Sequence, residues 1–156
     1  MNFFSRLAFV LTLLLAISLP VRADSPENDV KKMVESFYKD YYKAFVTKEP
    51  KGNYEKQVIQ WVDRSPACSP AFKKALAKAF IDARKRDPEL GLEVDPILAG
   101  QDRPDKGYLA KTIKITKDKA AVTMVGVGGG DFHISLRVVN INGQWQIDRI
   151  ADIPAK

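Results

Sequence analysis

The side chains able to do chemistry are few. One histidine and one cysteine occur in 156 residues, which excludes a zinc centre built from His and Cys ligands and any disulfide within the chain. His133 lies close in sequence to Asp131 and, further on, to Asp152; a histidine beside a carboxylate is the pattern of a general base. Gly126-Val127-Gly128-Gly129-Gly130 superficially resembles a phosphate loop. Such loops run from a strand into a helix N-terminus whose amides hold the anion, whereas these glycines separate two strand-like stretches and read as a turn or bulge. Asp87, Glu89, Glu93, Asp95, Asp102 and Asp105 gather acids in one region. The alternating spacing of a calcium loop is absent there, so they read as solvated carboxylates. No serine or cysteine sits in a glycine-flanked nucleophile elbow. Cys68 reads as a small buried apolar residue, its sharper alternative being a disulfide to another chain. No metal and no cofactor are expected.

Aromatic residues are the other concentration. Phe37, Tyr38, Tyr41, Tyr42 and Phe45 follow at close intervals, with Trp61 and Trp145 elsewhere. Core packing is the ordinary reading of such a stripe. The alternative is a ligand cavity, in which tyrosine hydroxyls supply polar groups on an apolar wall.

The elements that must position these residues are helices first and strands second. Ser25-Pro26 caps and starts a helix over 26–46, in which Val30, Met33, Val34, Phe37, Tyr38, Tyr41 and Phe45 share one stripe. A shorter helix fits Tyr54 to Val62. Ser69-Pro70 repeats the cap-plus-proline signal and opens a third helix, 70–86, whose Arg84-Lys85-Arg86 ending complements the helix dipole. Residues 87–107, punctuated by proline and glycine, form a long connector of the kind that is functional or packed on the body of a fold. Period-two alternation then gives four strands over Tyr108–Thr116, Ala120–Val127, Phe132–Ile141 and Gln144–Ile150. The expected fold class is α+β, three helices on one face of a four-stranded antiparallel sheet.

Asn142-Gly143 is a two-residue hairpin signal, since both residues tolerate positive φ. It sets Ile141 against Gln144, Asn140 against Trp145, Val138 against Ile147 and Leu136 against Arg149. Phe132, Ile134, Leu136, Val138, Trp145 and Ile147 then line the core face. The other face receives an Arg137–Asp148 ion pair, Ser135 opposite Ile150, and His133 opposite Asp152. That placement makes His133 a surface histidine.

The N-terminus reads as a leader. Arg6 precedes an almost unbroken apolar run, Leu7 to Leu19, then Pro20 and a small-residue ending at Ala23. The run is shorter than the ~18 residues of a spanning helix, so residues 1–23 are expected to be a cleaved signal peptide and 24–156 a single periplasmic or secreted domain that does not span the membrane. A hydrophobic content of 46% fits a globular domain. The leader holds Arg6, Arg22 and no acid, so the net charge of +6 falls by 2 to +4, too diffuse to imply nucleic acid as a partner.

Phe37-Tyr38-Lys39-Asp40-Tyr41-Tyr42, Asp95-Pro96-Ile97-Leu98-Ala99-Gly100-Gln101-Asp102 and Gly143-Gln144-Trp145-Gln146-Ile147-Asp148-Arg149-Ile150 together resemble a bacterial exported domain-of-unknown-function family of the nuclear-transport-factor-two-like (cystatin-like) superfamily. The resemblance implies a cone, with a long N-terminal helix and its companions held in a curved antiparallel sheet. Catalytic relatives place an Asp/His or Tyr/Asp pair inside the cone; this chain offers Asp102, Tyr38, Tyr41 and Tyr108 for those roles and no matching histidine. Gln101 and Asp102 equally suit the capping of a turn that holds the connector on the cone mouth. The candidate ligand-binding residues are therefore Tyr38, Tyr41, Gln101, Asp102, Tyr108 and Trp145. The leading expectation is a non-catalytic module that binds a small apolar ligand or an envelope protein. The alternatives are a small-molecule isomerase, lyase or hydrolase with Asp102 as base, and a structural homodimer formed through the outer sheet face. Fold alone does not choose among these.

Overall fold

Ser25 opens the first helix by accepting the Asn28 N–H at 3.3 Å, with Pro26 at the first helical position. The structure, a computed structural model, describes residues 25–48 and 51–151; the leader and Asp152 lie outside the described residues. Helix α1 (Pro26–Tyr41) buries Val30, Val34, Phe37, Tyr38 and Tyr41 on the stripe their spacing predicts. It then widens into a π-helical turn, Tyr42–Val46, which the Thr47 N–H closes on the Tyr42 carbonyl at 2.9 Å. Such wide turns interrupt helices mostly at functional or crowded positions, and here the turn carries Tyr42 and Phe45. Helix α2 (Tyr54–Arg64) is capped by Asn53 and runs two residues past the expected end at Val62. Helix α3 (Pro70–Arg86) is capped by Ser69, whose hydroxyl accepts the Phe72 N–H at 3.0 Å.

The sheet is antiparallel in the order β1 (Tyr108–Thr116), β2 (Lys119–Gly126), β3 (His133–Ile141), β4 (Gln144–Ile150). With the helices before the strands in sequence, the fold is α+β. Among the strands, α1 packs most extensively on β1 and next on β4, the two outer ones, as a sheet curled around the helix would have it. A bulge in β1 between Ala110 and Thr112 interrupts the pairing, and the Ala110 N–H donates at 3.0 Å to Glu35 Oε1 on α1. Between helices and sheet lies one core. Phe72, Leu76 and Phe80 of α3 and Met124, Ile134 and Ile147 of the sheet all belong to it.

The hairpin at Asn142-Gly143, with φ of 53° and 85°, sets the expected pairs Ile141–Gln144, Asn140–Trp145 and Val138–Ile147. Beyond them the register departs from a straight ladder. A bulge between Arg137 and Val138 brings Arg149 opposite Arg137 and Ile150 opposite Leu136. Leu136 therefore does not face Arg149, and Ile150 is fully buried in the core rather than standing beside Ser135 on the outer face. The physical cause is Asp148. Ser69 Oγ donates to its Oδ1 at 2.9 Å and Arg137 Nε to its Oδ2 at 2.8 Å, so the expected Arg137–Asp148 pair forms while the strand kinks. The same segment shields the edge of β4. Ile147 N–H donates to the Ala67 carbonyl at 2.7 Å, and Ser69 N–H to the Ile147 carbonyl at 2.9 Å. Cys68, between them, is buried, and burial pushes its thiol up to about 12.

The connector is tied down along its length. Asp87 Oδ1 accepts the N–H groups of Glu89 and Leu90, and Arg84 donates to the carbonyls of Pro88 and Glu89 while pairing with Glu55 at 2.7 Å. Gly91 sits inside this clasp in the left-handed backbone region that favours glycine. Its φ is +67°, and a Cβ there would lie 2.6 Å from Glu55 Oε1.

Candidate functional site

Asp95 is the polar centre of the connector. Asp95-Pro96 repeats the cap-plus-proline pattern of the helix starts: Asp95 Oδ1 accepts the N–H groups of Ile97 and Leu98 at 2.8 and 3.0 Å. The turn closes where Asp95 and Gly100 exchange backbone hydrogen bonds. Ile97 and Leu98 then enter the core, 0% and 4% exposed. The other carboxylate oxygen, Oδ2, accepts the hydroxyls of Tyr41 (α1) and Tyr54 (α2), each at 2.8 Å, and the two hydroxyls lie 2.8 Å from each other. One carboxylate thus ties together two helices and the connector.

Tyr38 donates to the Ile97 carbonyl at 3.1 Å, and Tyr42 to the Pro104 carbonyl at 3.1 Å. Tyr108 packs its ring on Tyr38, with centroids 5.4 Å apart. Burial, and after it the Asp95 charge, pushes the hydroxyls of Tyr41, Tyr54 and Tyr108 above the usual tyrosine range. Burial, followed by Tyr108, does the same to Tyr38 and Tyr42. All of these phenols stay protonated at neutral pH, and those of Tyr38, Tyr41, Tyr42 and Tyr54 act as donors. Tyr38 and Tyr41 are themselves 0% exposed and packed among neighbouring aromatic rings.

The remaining candidates lie elsewhere. Gln101 is exposed and donates to the Glu93 carbonyl at 3.3 Å. Asp102 is exposed, makes no hydrogen bond among the described residues, and lines an open surface depression of about 700 Å³ with Tyr42, Arg103 and Phe132. The carboxylate that meets tyrosines and holds the connector is Asp95, seven residues before the one expected to do so. His133 sits on the surface against the exposed Asp131 at 2.6 Å. Trp145 lies at the far end of the core face, half-buried in a groove of about 450 Å³ between α1, residues 65–67 and the β3–β4 turn. Trp61 lines the same groove, resting on Phe37 with ring centroids 5.1 Å apart. Met33 and Phe37 complete its apolar floor, and among the described residues its charged lining residues are Asp29 and Asp40, both on α1. Sequence reasoning named Trp61 and Trp145 together with the aromatic stripe but carried only Trp145 into the candidate ligand-binding set.

A scan of protein-family models finds no match for this chain, and no curated protein matches it. Among solved structures it is similar to a protein of unknown function from Bacteroides thetaiotaomicron VPI-5482. The identity is 23% and the TM-score 0.47, with 80% of this chain and 90% of that one covered.

Chemically, the two centres differ. At Asp95 all four close contacts are made by groups of the protein itself, which leaves no acceptor position turned towards a substrate. The tryptophan groove is open to solvent and brings two indole side chains and two carboxylates into one lining. Among the described residues, no three His, Cys, Asp or Glu side chains converge to hold a metal ion.

Proposed function

We propose that this protein is a non-catalytic binding module and that the Trp61–Trp145 groove receives its ligand. The observation that carries the reading is the contrast between two neighbouring places. The groove is open, aromatic-floored and acid-rimmed, while the carboxylate–tyrosine centre is saturated by its own partners. A base needs a free acceptor within reach of the proton it removes. Asp102 stands exposed on the surface with no tyrosine hydrogen-bonded to it, which favours binding over acid–base catalysis.

The groove's chemistry defines the ligand class. Indole faces attract cations, and quaternary ammonium groups are their best-known guests; Asp29 and Asp40 add negative charge, and among the described residues no cationic side chain lines the groove. The ligand is an apolar group bearing a cation. The resemblance to exported members of the nuclear-transport-factor-two-like superfamily belongs to the same proposal, with the module acting outside the cytoplasm. The helices-then-strands order and the curled sheet support it.

Trp61 and Trp145 are the chain's two tryptophans, so their emission reports directly on the groove. Benzyltrimethylammonium is expected to change that emission saturably, and Trp145→Leu to abolish the response while the fold, read by circular dichroism, persists. An unchanged emission, or an equal response in Trp145→Leu, would overturn the assignment.

A further inference from the structure

We propose that the outer face of the sheet docks on an anionic lipid bilayer. Strand alternation buries Val122, Leu136 and Ile150 on the helix side, which leaves the opposite face uncovered. One row crosses all four strands of that face. Lys114 pairs with Ala121, Ala121 with Arg137, and Arg137 with Arg149. At ~4.8 Å between neighbouring strands the row spans about 14 Å and carries three cations. Lys119, one row away, adds a fourth.

Like charges directly opposite one another across a strand pair are unfavourable, and a single carboxylate answers them. Asp148 is already engaged by Arg137 and Ser69. Arg149 has no ion pair among the described residues, and its Nε is buried without a hydrogen-bond partner. The other acids near this face stand at its ends: Asp118 in the β1–β2 turn beside Lys117, and Asp131 against His133. Between these ends Thr112, Thr123 and Ser135 present a row of small hydroxyls.

Two large apolar side chains project from the same face at opposite ends, Leu109 at 51% exposure and Ile141 at 38%. That pairing of features selects the partner. A second copy of this chain would set these cations against themselves. A soluble polyanion would engage the cations and leave Leu109 and Ile141 in water. A bilayer answers both, with headgroup phosphates for Lys114, Lys119 and Arg149 and the acyl boundary for the two apolar side chains.

The test is co-sedimentation of the full chain with vesicles of phosphatidylglycerol and phosphatidylethanolamine, against vesicles of phosphatidylcholine alone. All variants carry the same N-terminus, checked by mass, so any contribution of the leader cancels. Binding to the anionic vesicles is expected, with release at about 1 M salt, where the screening length falls to ~3 Å. Each cation near such a surface is worth about fivefold, so Lys114→Gln/Lys119→Gln/Arg149→Gln should weaken binding about a hundredfold. The charge-matched Lys31→Gln/Lys39→Gln/Lys74→Gln, all exposed on the helix side, should stay within about fivefold of the parent. Circular dichroism confirms that both variants fold. Equal losses in the two variants, or no preference for anionic vesicles, would overturn the proposal. Retention on heparin that the sheet variant alone loses, without vesicle binding, would overturn it in favour of a soluble polyanion.

Discussion

Replacing Asp95 by alanine tests whether one carboxylate holds the connector and two helices together. The substitution removes the acceptor of four hydrogen bonds at 2.8 to 3.0 Å. The losses are unequal. Tyr41 and Tyr54 already lie 2.8 Å apart, so one hydroxyl can donate to the other and a single phenolic donor is left over. The N–H groups of Ile97 and Leu98 have no such recourse, because their residues are buried. Leaving a buried donor unpaired costs about 1–3 kcal/mol. With relaxation of the turn, the total for Asp95→Ala is roughly 3–5 kcal/mol, a large part of the ~5–15 kcal/mol that stabilises a typical domain.

For a domain of this size 1 kcal/mol moves Tm by about 3–5 °C, so Asp95→Ala should lower Tm by roughly 10–20 °C in a calorimetric scan. Asp95→Asn keeps an oxygen for the two backbone donors and offers its amide to a tyrosine oxygen; its cost should be nearer 1–2 kcal/mol. Tyr41→Phe alone should cost about as much. Added to Asp95→Ala it should cost less than its own value, because the bond it removes is already gone. An Asp95→Ala protein melting within about 2 °C of the parent would refute the tie, as would full additivity with Tyr41→Phe.

Four further outcomes follow from other contacts. All five tyrosines (38, 41, 42, 54 and 108) have raised hydroxyl pKa values. Their contribution to stability is complete below the unfolded value of ~10 and falls above it, by about 1.4 kcal/mol per pH unit for each fully buried phenol. Tyrosinate absorbance should therefore rise in one step coincident with alkaline unfolding; a phenol titrating freely near pH 10 in the folded protein would contradict this. The Cys68 thiol, buried and pushed up to about 12, should react with a disulfide reagent at neutral pH only as fast as the domain opens, and prompt stoichiometric labelling would place it at the surface. Gly91→Ala should cost about 1–3 kcal/mol in urea unfolding, since positive φ and the Glu55–Arg84 clasp both oppose a Cβ; a neutral effect would show that the clasp is loose. Ser69→Ala removes a helix cap and a bond to Asp148 and should cost about 2 kcal/mol, whereas Ser25→Ala at the exposed cap of α1 should cost under about 1.

The elements were legible because their signals are local. Ser25-Pro26 and Ser69-Pro70 announce helices through their own side chains, and Asn142-Gly143 announces a hairpin through its own φ values. What escaped depends on partners distant in sequence. The bulge that turns Ile150 inward rests on Ser69 meeting Asp148, 79 residues apart. Asp95 shows a third cap-plus-proline signal and was legible as a turn. Its second oxygen, however, binds Tyr41 and Tyr54 at separations of 54 and 41 residues, and no periodicity reports that. Asp102 drew attention as an acid beside a glutamine in a motif, yet a motif does not say which of its two aspartates points inward. Tyr54 looked like the mere first residue of a helix.

The saturation of the interior bears directly on where recognition can occur. The part-buried Asp95 is engaged by two tyrosines and two amides, so the proposed recognition falls to what remains at the surface. Two surfaces of opposite charge stand out: Asp29 and Asp40 line the groove on the helix side, while Lys114, Lys119 and Arg149 lie on the outer sheet face. The β3–β4 hairpin contributes to both, Trp145 to the groove and Ile141 to the sheet face. Side chains of successive strand residues leave on opposite faces, so Trp145 and Ile141 serve different surfaces from one hairpin. Bilayer docking on the cationic face would leave the groove open to solvent and hold its cation-seeking rim away from the membrane. A cationic ligand concentrated at an anionic bilayer would then meet the groove at a raised local concentration. If both readings hold, benzyltrimethylammonium should still change tryptophan emission in vesicle-bound protein; loss of that response on docking would show that the two surfaces compete.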